Sequence, residues 1–159
     1  MGQGGQPPRA GQPPQPAAPT VLVLDMANVM GSRPDGWWRD RAGAATRWLA
    51  DVAPLVGRTV PGPSGDRVAI TRVVAVLEGP ARSACPPPGS VGLDVVAAER
   101  DGDAAVAAVA AELVFGQQPA PAVLVVTADR GLRRRLPARA VVTGPGWLTR
   151  TLASRPKAQ

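Results

Sequence analysis

The sequence contains no histidine and no tyrosine, and only one phenylalanine, one cysteine and one lysine. Each shortage closes off some chemistry. Without histidine there is no Ser-His-Asp triad, no Cys-His pair and no histidine-ligated zinc. Cys85 has no partner for an internal disulfide and stands before a Pro-Pro-Pro run that reads as loop. A lone cysteine fits a reducing compartment. Long apolar runs are missing as well. No stretch of about 18 such residues occurs, so no membrane span is expected. The opening residues lack the basic start and apolar core of a signal peptide. The expectation is a cytoplasmic protein. Hydrolytic chemistry, if present, must run on carboxylates, hydroxyls, arginines or a metal held by oxygen.

What is present is arginine. The net charge is +6, and Lys157 is the only positive side chain that is not arginine. A GC-rich coding sequence explains such a composition as well as a polyanionic partner does. The second reading has a physical basis, since the guanidinium fork matches phosphate.

The 159 residues suit one domain between two tails. Residues 1–19 are Gly, Gln and Pro with few apolar side chains, a composition that cannot offset its ordering entropy. Residues 154–159 read as a flexible polar tail. The domain is expected over 20–153. Val21–Leu24 is a continuous apolar run of the kind a strand shows when both its faces are covered. A helix is predicted from Asp40, as N-cap, to Val56, with Ala44, Ala45, Trp48, Leu49 and Val52 on its inner face. Val56 to Asp66 is punctuated by Gly and Pro and reads as a loop. Further strands are expected at Arg67–Leu77, Leu93–Ala97, Val123–Val126 and Ala140–Val142. Helices are expected at Asp103–Phe115, Gly131–Leu136 and Gly146–Leu152. Alternating strands and helices with unbroken apolar strands argue an α/β sandwich around a mainly parallel sheet.

In such sheets ligands sit at the carboxyl ends of the strands, and that is where the acids fall. Asp25 follows VLVL, Asp129 follows VLVVTA, and Asp103 lies in ERDGDAAV at the mouth of a helix. Glu78 closes the second strand, and Glu99 and Asp101 flank Asp103. Two carboxylates about 4 Å apart repel by roughly 4 kcal/mol at an effective dielectric of 20. Convergence therefore calls for a hard cation with oxygen ligands, such as Mg²⁺ or Mn²⁺. The competing reading makes each acid a helix cap or turn former. Asn28 is suited to fixing the loop after Asp25 through Asx-type hydrogen bonds. Thr127 can place its hydroxyl on an acid oxygen or a phosphate, and Arg130 can pair with Asp129 or with phosphate.

The Asp25-x-x-Asn28 exit, Asp103 in DGDAAV and Thr127-Ala128-Asp129-Arg130 resemble the PIN-like superfamily, and within it the NYN branch of metal-dependent nucleases. The GSRPDGWWRDRAGAA segment is similar to small actinobacterial members, some labelled NTP pyrophosphohydrolase. The resemblance spans about residues 20–152. It implies a three-layer α/β/α sandwich and Mg²⁺- or Mn²⁺-dependent cleavage of RNA. It also implies Asp25, Asp103 and Asp129 as metal ligands, with Asn28 as the residue that fixes the loop. A fourth acid is implied too. Asp101 and Glu78 both compete for that place, because DGD stands where the family has a GDD-like pair.

Trp37 and Trp38 stand among Arg33, Arg39 and Arg41. They read as a platform for base stacking and phosphate contact, or as one core cap among solvated arginines. Trp48 and Trp147 read as core. Arg133, Arg134 and Arg135 form either a solvated face or a phosphate track with Arg130. The function favoured is a ribonuclease acting on single-stranded or structured RNA. Hydrolysis of a nucleoside triphosphate, a non-catalytic RNA-binding scaffold and a homodimer all stay open.

Overall fold

The computed structural model describes residues 16–154. Strand β1 (Ala18–Asp25) runs up the middle of the sheet, with β3 (Arg67–Leu77) on one side and β5 (Ala122–Val126) on the other, both parallel to it. Beyond β5 lies β6 (Val141–Thr143), also parallel. The outer edge of β3 is shared. Its first residues pair antiparallel with β2 (Thr59–Pro61), and its last five pair parallel with β4 (Leu93–Ala97).

The strands are apolar on both faces because both are covered. In β1, Leu22 and Leu24 enter one core while Val21 and Val23 enter the other. The same alternation separates Val73, Ala75 and Leu77 from Val74 and Val76, and Leu124 and Val126 from Val123 and Val125. Helices α1 (Met26–Gly31), α2 (Arg41–Val52) and α5 (Pro145–Ala153) contribute to the first core, and α3 (Gly102–Phe115) and α4 (Arg130–Arg135) to the second. The result is the expected three-layer α/β/α arrangement with a mainly parallel sheet. Side chains such as Leu22, Leu24 and Leu124 are all but fully buried, each stabilising the fold by about 1.5–3 kcal/mol.

The register makes the strand exits level. Asp25 lies opposite Val76, Val76 opposite Val96, Leu24 opposite Val126, and Val126 opposite Thr143. Five carboxyl ends therefore share one rim.

Four expectations need correction. The segment expected as loop from Val56 to Asp66 contains β2, whose short ladder is set by pairing with β3 rather than by its own composition. The chain after Asp25 is helical, not a loop, with Asp25 itself as N-cap of α1. Strand β1 begins at Ala18, inside the stretch assigned to the tail, because Ala18 and Pro19 pair with Val68 and Ala69. The helix from Asp40 stops at Val52, and Pro54 carries the chain on into a 3₁₀ turn, Ala53–Leu55. Proline cannot donate to the helical ladder, which accounts for the change. The remainder of the expected tails, 1–15 and 155–159, lies outside the described residues.

Candidate active site

Asp25 is the most constrained acid of the rim, only 4% exposed. Its Oδ2 accepts from Asn28 Nδ2 at 2.9 Å and from Thr127 Oγ1 at 2.7 Å, and its Oδ1 accepts from the Asn28 amide at 3.4 Å. The network then crosses to the β5 exit. Asn28 Oδ1 accepts from the Ala128 amide at 3.2 Å, and Thr127 Oγ1 accepts from the Asp129 amide at 3.1 Å. Two exits some hundred residues apart in the chain are thereby stitched into one polar unit. Thr127 is completely buried, so its hydroxyl has no water to fall back on. Burial pushes the Asp25 carboxyl above the usual carboxylate range, with the Glu78 charge acting the same way, against hydrogen bonds from Thr127 and Asn28.

Asp129 caps α4, its Oδ1 accepting from the Leu132 amide at 2.8 Å. Arg133 reaches back from α4 to donate to the Thr127 carbonyl at 3.1 Å. That contact ties the short helix to the strand exit.

Across the rim the acids are held differently. Asp101 is the N-cap of α3, accepting from the Ala104 amide at 3.2 Å, and it pairs with Arg135 at 3.7 Å. Glu78, at the end of β3, accepts from the Gly102 amide at 3.0 Å. A Cβ at position 102 would collide with the Glu78 carboxylate, so any other residue there would oblige that side chain to swing off the Gly102 amide. The sequence reading missed Gly102, although its place between two aspartates in DGD was the available signal. Asp103, in the first turn of α3, makes no hydrogen bond to another described side chain or amide. Burial pushes its carboxyl up, followed by the charges of Asp129, Asp25 and Asp101, with Arg135 opposing. The charges of Asp129 and Asp25 thus both reach Asp103.

The donor set is right in kind for Mg²⁺ or Mn²⁺, being carboxylate oxygen throughout, and the negative charge on Asp103 is only partly offset. It is not a closed protein cage. Among the described residues no group of three or more acids, cysteines or histidines lies close enough to hold an ion by itself. A cation bound through one or two carboxylates, with water and phosphate oxygens completing its shell, suits these residues. Glu78 and Asp101, the candidates for a fourth acid, both serve as caps for α3.

The nucleic-acid candidates divide. The Arg33 guanidinium lies 3.8 Å above the ring of buried Trp48 and 3.6 Å from Asp51, so it stacks on a core tryptophan. Trp37 packs partly buried against the core, whereas Trp38 is 54% exposed with Arg39 6.0 Å from its ring. Arg130 and Arg134 are exposed on α4. Trp48 and Trp147 are core, and the indole of Trp147 donates to the Pro61 carbonyl at 3.1 Å.

No family model and no curated protein matches this sequence. Among solved structures, the crystal structure of a mutant of Rae1 (YacP) from Bacillus subtilis shares the fold, with a TM-score of 0.58 and 14% identity. The match covers 85% of this chain and 76% of that one. At that identity the likeness is one of fold.

Proposed function

We propose that the chain is a metal-dependent phosphodiesterase that cleaves RNA. The observation that carries this reading is the position of Asp103, partly desolvated and under the charges of Asp129 and Asp25, at the carboxyl rim of a PIN-like fold. A carboxyl whose proton affinity is raised by burial together with specific like charges is a functional-site candidate. The resemblance to NYN-type nucleases implies that chemistry for acids at these positions, and the arginine-borne charge of +6 supports a polyanionic substrate.

Asp25, Asp103 and Asp129 would hold Mg²⁺ or Mn²⁺. Bound there, the ion supplies charge neutralisation at a phosphate and lowers the pKa of water. The protein's own contribution is orientation. Thr127 and Asn28 fix the Asp25 carboxylate in one rotamer, leaving acceptor capacity on a group that has already lost most of its water. Arg133 holds the α4 entrance in place through the Thr127 carbonyl, and Arg130 and Arg134 offer guanidinium forks to phosphates alongside.

A second reading, a non-catalytic RNA-binding domain, has its own support. Three of the rim acids, Asp25, Asp101 and Asp129, are helix N-caps, and no three acids close around an ion among the described residues. The deciding experiment is incubation of RNA with Mn²⁺ present or chelated, for wild type and Asp25→Asn. Mn²⁺-dependent fragments lost in the variant support the nuclease. RNA binding with no cleavage supports the scaffold. Release of pyrophosphate from nucleoside triphosphates, without RNA fragments, would move the substrate from polymer to nucleotide.

A further inference from the structure

Between β2 and the outer part of α5 lies a cavity of about 370 Å³, within the range of about 300–1,000 Å³ typical of small-molecule sites. Its β2 wall is far from the acids. Pro61 stands opposite Arg67 on β3, whereas Asp25 stands opposite Val76. At about 3.3 Å per residue the two levels are roughly 30 Å apart along that strand. The frame is fixed before any ligand arrives. The Trp147 indole donates to the Pro61 carbonyl at 3.1 Å, tying α5 to β2. The Ile70 amide donates to the Arg58 carbonyl at 2.8 Å, tying the residue before β2 to β3. Leu55, Val60, Pro61 and Trp147 give the cavity an apolar side.

The polar side carries two guanidinium groups, those of Arg58 and Arg150. Neither has an ion pair or a side-chain hydrogen bond among the described residues. No acid is found among the lining residues. Asp66 lies against Gly62 at the β2–β3 turn but pairs with neither arginine. The hydroxyls of Thr151 and Ser154 are spent on carbonyls of α5 itself. The two arginines, with the Thr59 hydroxyl, are therefore the side-chain donors a ligand can meet. A concavity lined by one sign of charge gathers the opposite sign.

We infer that this cavity binds a small phosphate monoester with a flat apolar body. A phosphate suits it better than a carboxylate does. One guanidinium fork already engages both oxygens of a carboxylate, whereas a phosphate keeps a third oxygen for the second arginine. Leu55, Val60 and Trp147 take the apolar body. The site owes nothing to the rim acids and stands whether or not they hold a metal. Arg150 also borders the concavity beside Asn28 and Ala128, while Arg58 belongs to this cavity alone, so Arg58 decides the test.

Phenyl phosphate is the probe, titrated into the full chain in EDTA and followed by two-dimensional NMR of the amide groups. Saturable shifts should gather on Thr59, Val60, Ser154 and the Trp147 indole N–H, with Asp25 and Asp129 unmoved. Arg58→Gln keeps much of the aliphatic stem and removes the charge. It should weaken binding about tenfold, the scale of one hydrogen bond to a charged group, and its own spectrum reports whether it is folded. Arg47→Gln, at an exposed arginine of α2 outside the cavity, should leave binding unchanged. Benzoate and inorganic phosphate should each bind more weakly than the probe. Equal weakening in Arg58→Gln and Arg47→Gln would overturn the site, because net charge alone would then explain the binding. Shifts that never saturate, or that gather at Asp25 and Asp129, would overturn it too. Benzoate binding as tightly as phenyl phosphate would overturn the choice of phosphate.

Discussion

The two halves of the acid rim are built on different terms. On the β1–β5 side, Asp25 is buried and takes hydrogen bonds from Asn28 and Thr127, and Thr127 in turn receives the Asp129 amide. On the β3–α3 side, Glu78 and Asp101 are exposed and spend their oxygens on the first amides of α3, while Asp103 has no such partner. The first half is a rigid polar unit whose geometry precedes any ligand. The second is an anchored helix mouth that presents one loosely held charge. A cation joining the halves would take its fixed oxygen from Asp25 and its adaptable one from Asp103.

The comparison breaks most visibly in activity. Asp103→Asn should abolish Mn²⁺-dependent RNA cleavage by on the order of 10²–10³-fold, the scale of losing one transition-state electrostatic group, while circular dichroism stays native. Asp25→Asn should lose as much. Retained cleavage in Asp103→Asn would show that the adaptable half has no part in the chemistry.

Stability, unlike activity, should divide the halves. Thr127→Val keeps volume and removes a buried hydroxyl that donates to Asp25 and accepts from Asp129. Urea unfolding should register a loss of about 1–3 kcal/mol. Asp101→Ala removes a helix cap at an exposed site and should cost about 1 kcal/mol. Equal losses would mean that the rigid half is no more rigid than the other.

The pH dependence sharpens the same point. Asp25 and Asp103 both titrate above their unfolded value of 3.8, so the native state holds more protons than the unfolded state in the window above it. In EDTA, stability should therefore decline as pH rises from about 3.8 through the raised values and then level off. Asp103→Asn should flatten this slope and raise the melting temperature slightly at pH 7. A wild-type stability that climbs through that window would contradict the burial of these two carboxyls and the like charges beside them. Cleavage should run the other way and fade as the pH falls and the acids take up protons.

Most of the layered fold was legible because its strands carry apolar side chains on both faces. Arg67–Leu77 and Leu93–Ala97 have the bounds that the run of β-branched residues sets. The elements that escaped are those whose reason lies elsewhere in the chain. Thr59–Pro61 is a strand only because β3 offers it an edge. Helix α1 is six residues long and follows directly on β1, too short for an apolar period to show. At the site, Asp25, Asn28, Thr127 and Asp129 could be picked out because an acid at a strand exit needs partners close in sequence. Arg33 could not be placed, since its stacking on Trp48 depends on how α1 and α2 pack. Gly102 escaped because its contact with Glu78 depends on the distance between β3 and α3, which sequence spacing does not carry.

The central claim is that carboxylates from both halves of the rim act on one divalent ion. Titration calorimetry of Mn²⁺ into the wild-type protein and into Asp103→Asn tests it most directly. Saturable binding by wild type, accompanied by proton release and lost in the variant, is the predicted result. No binding by wild type, or equal binding by both, would contradict it.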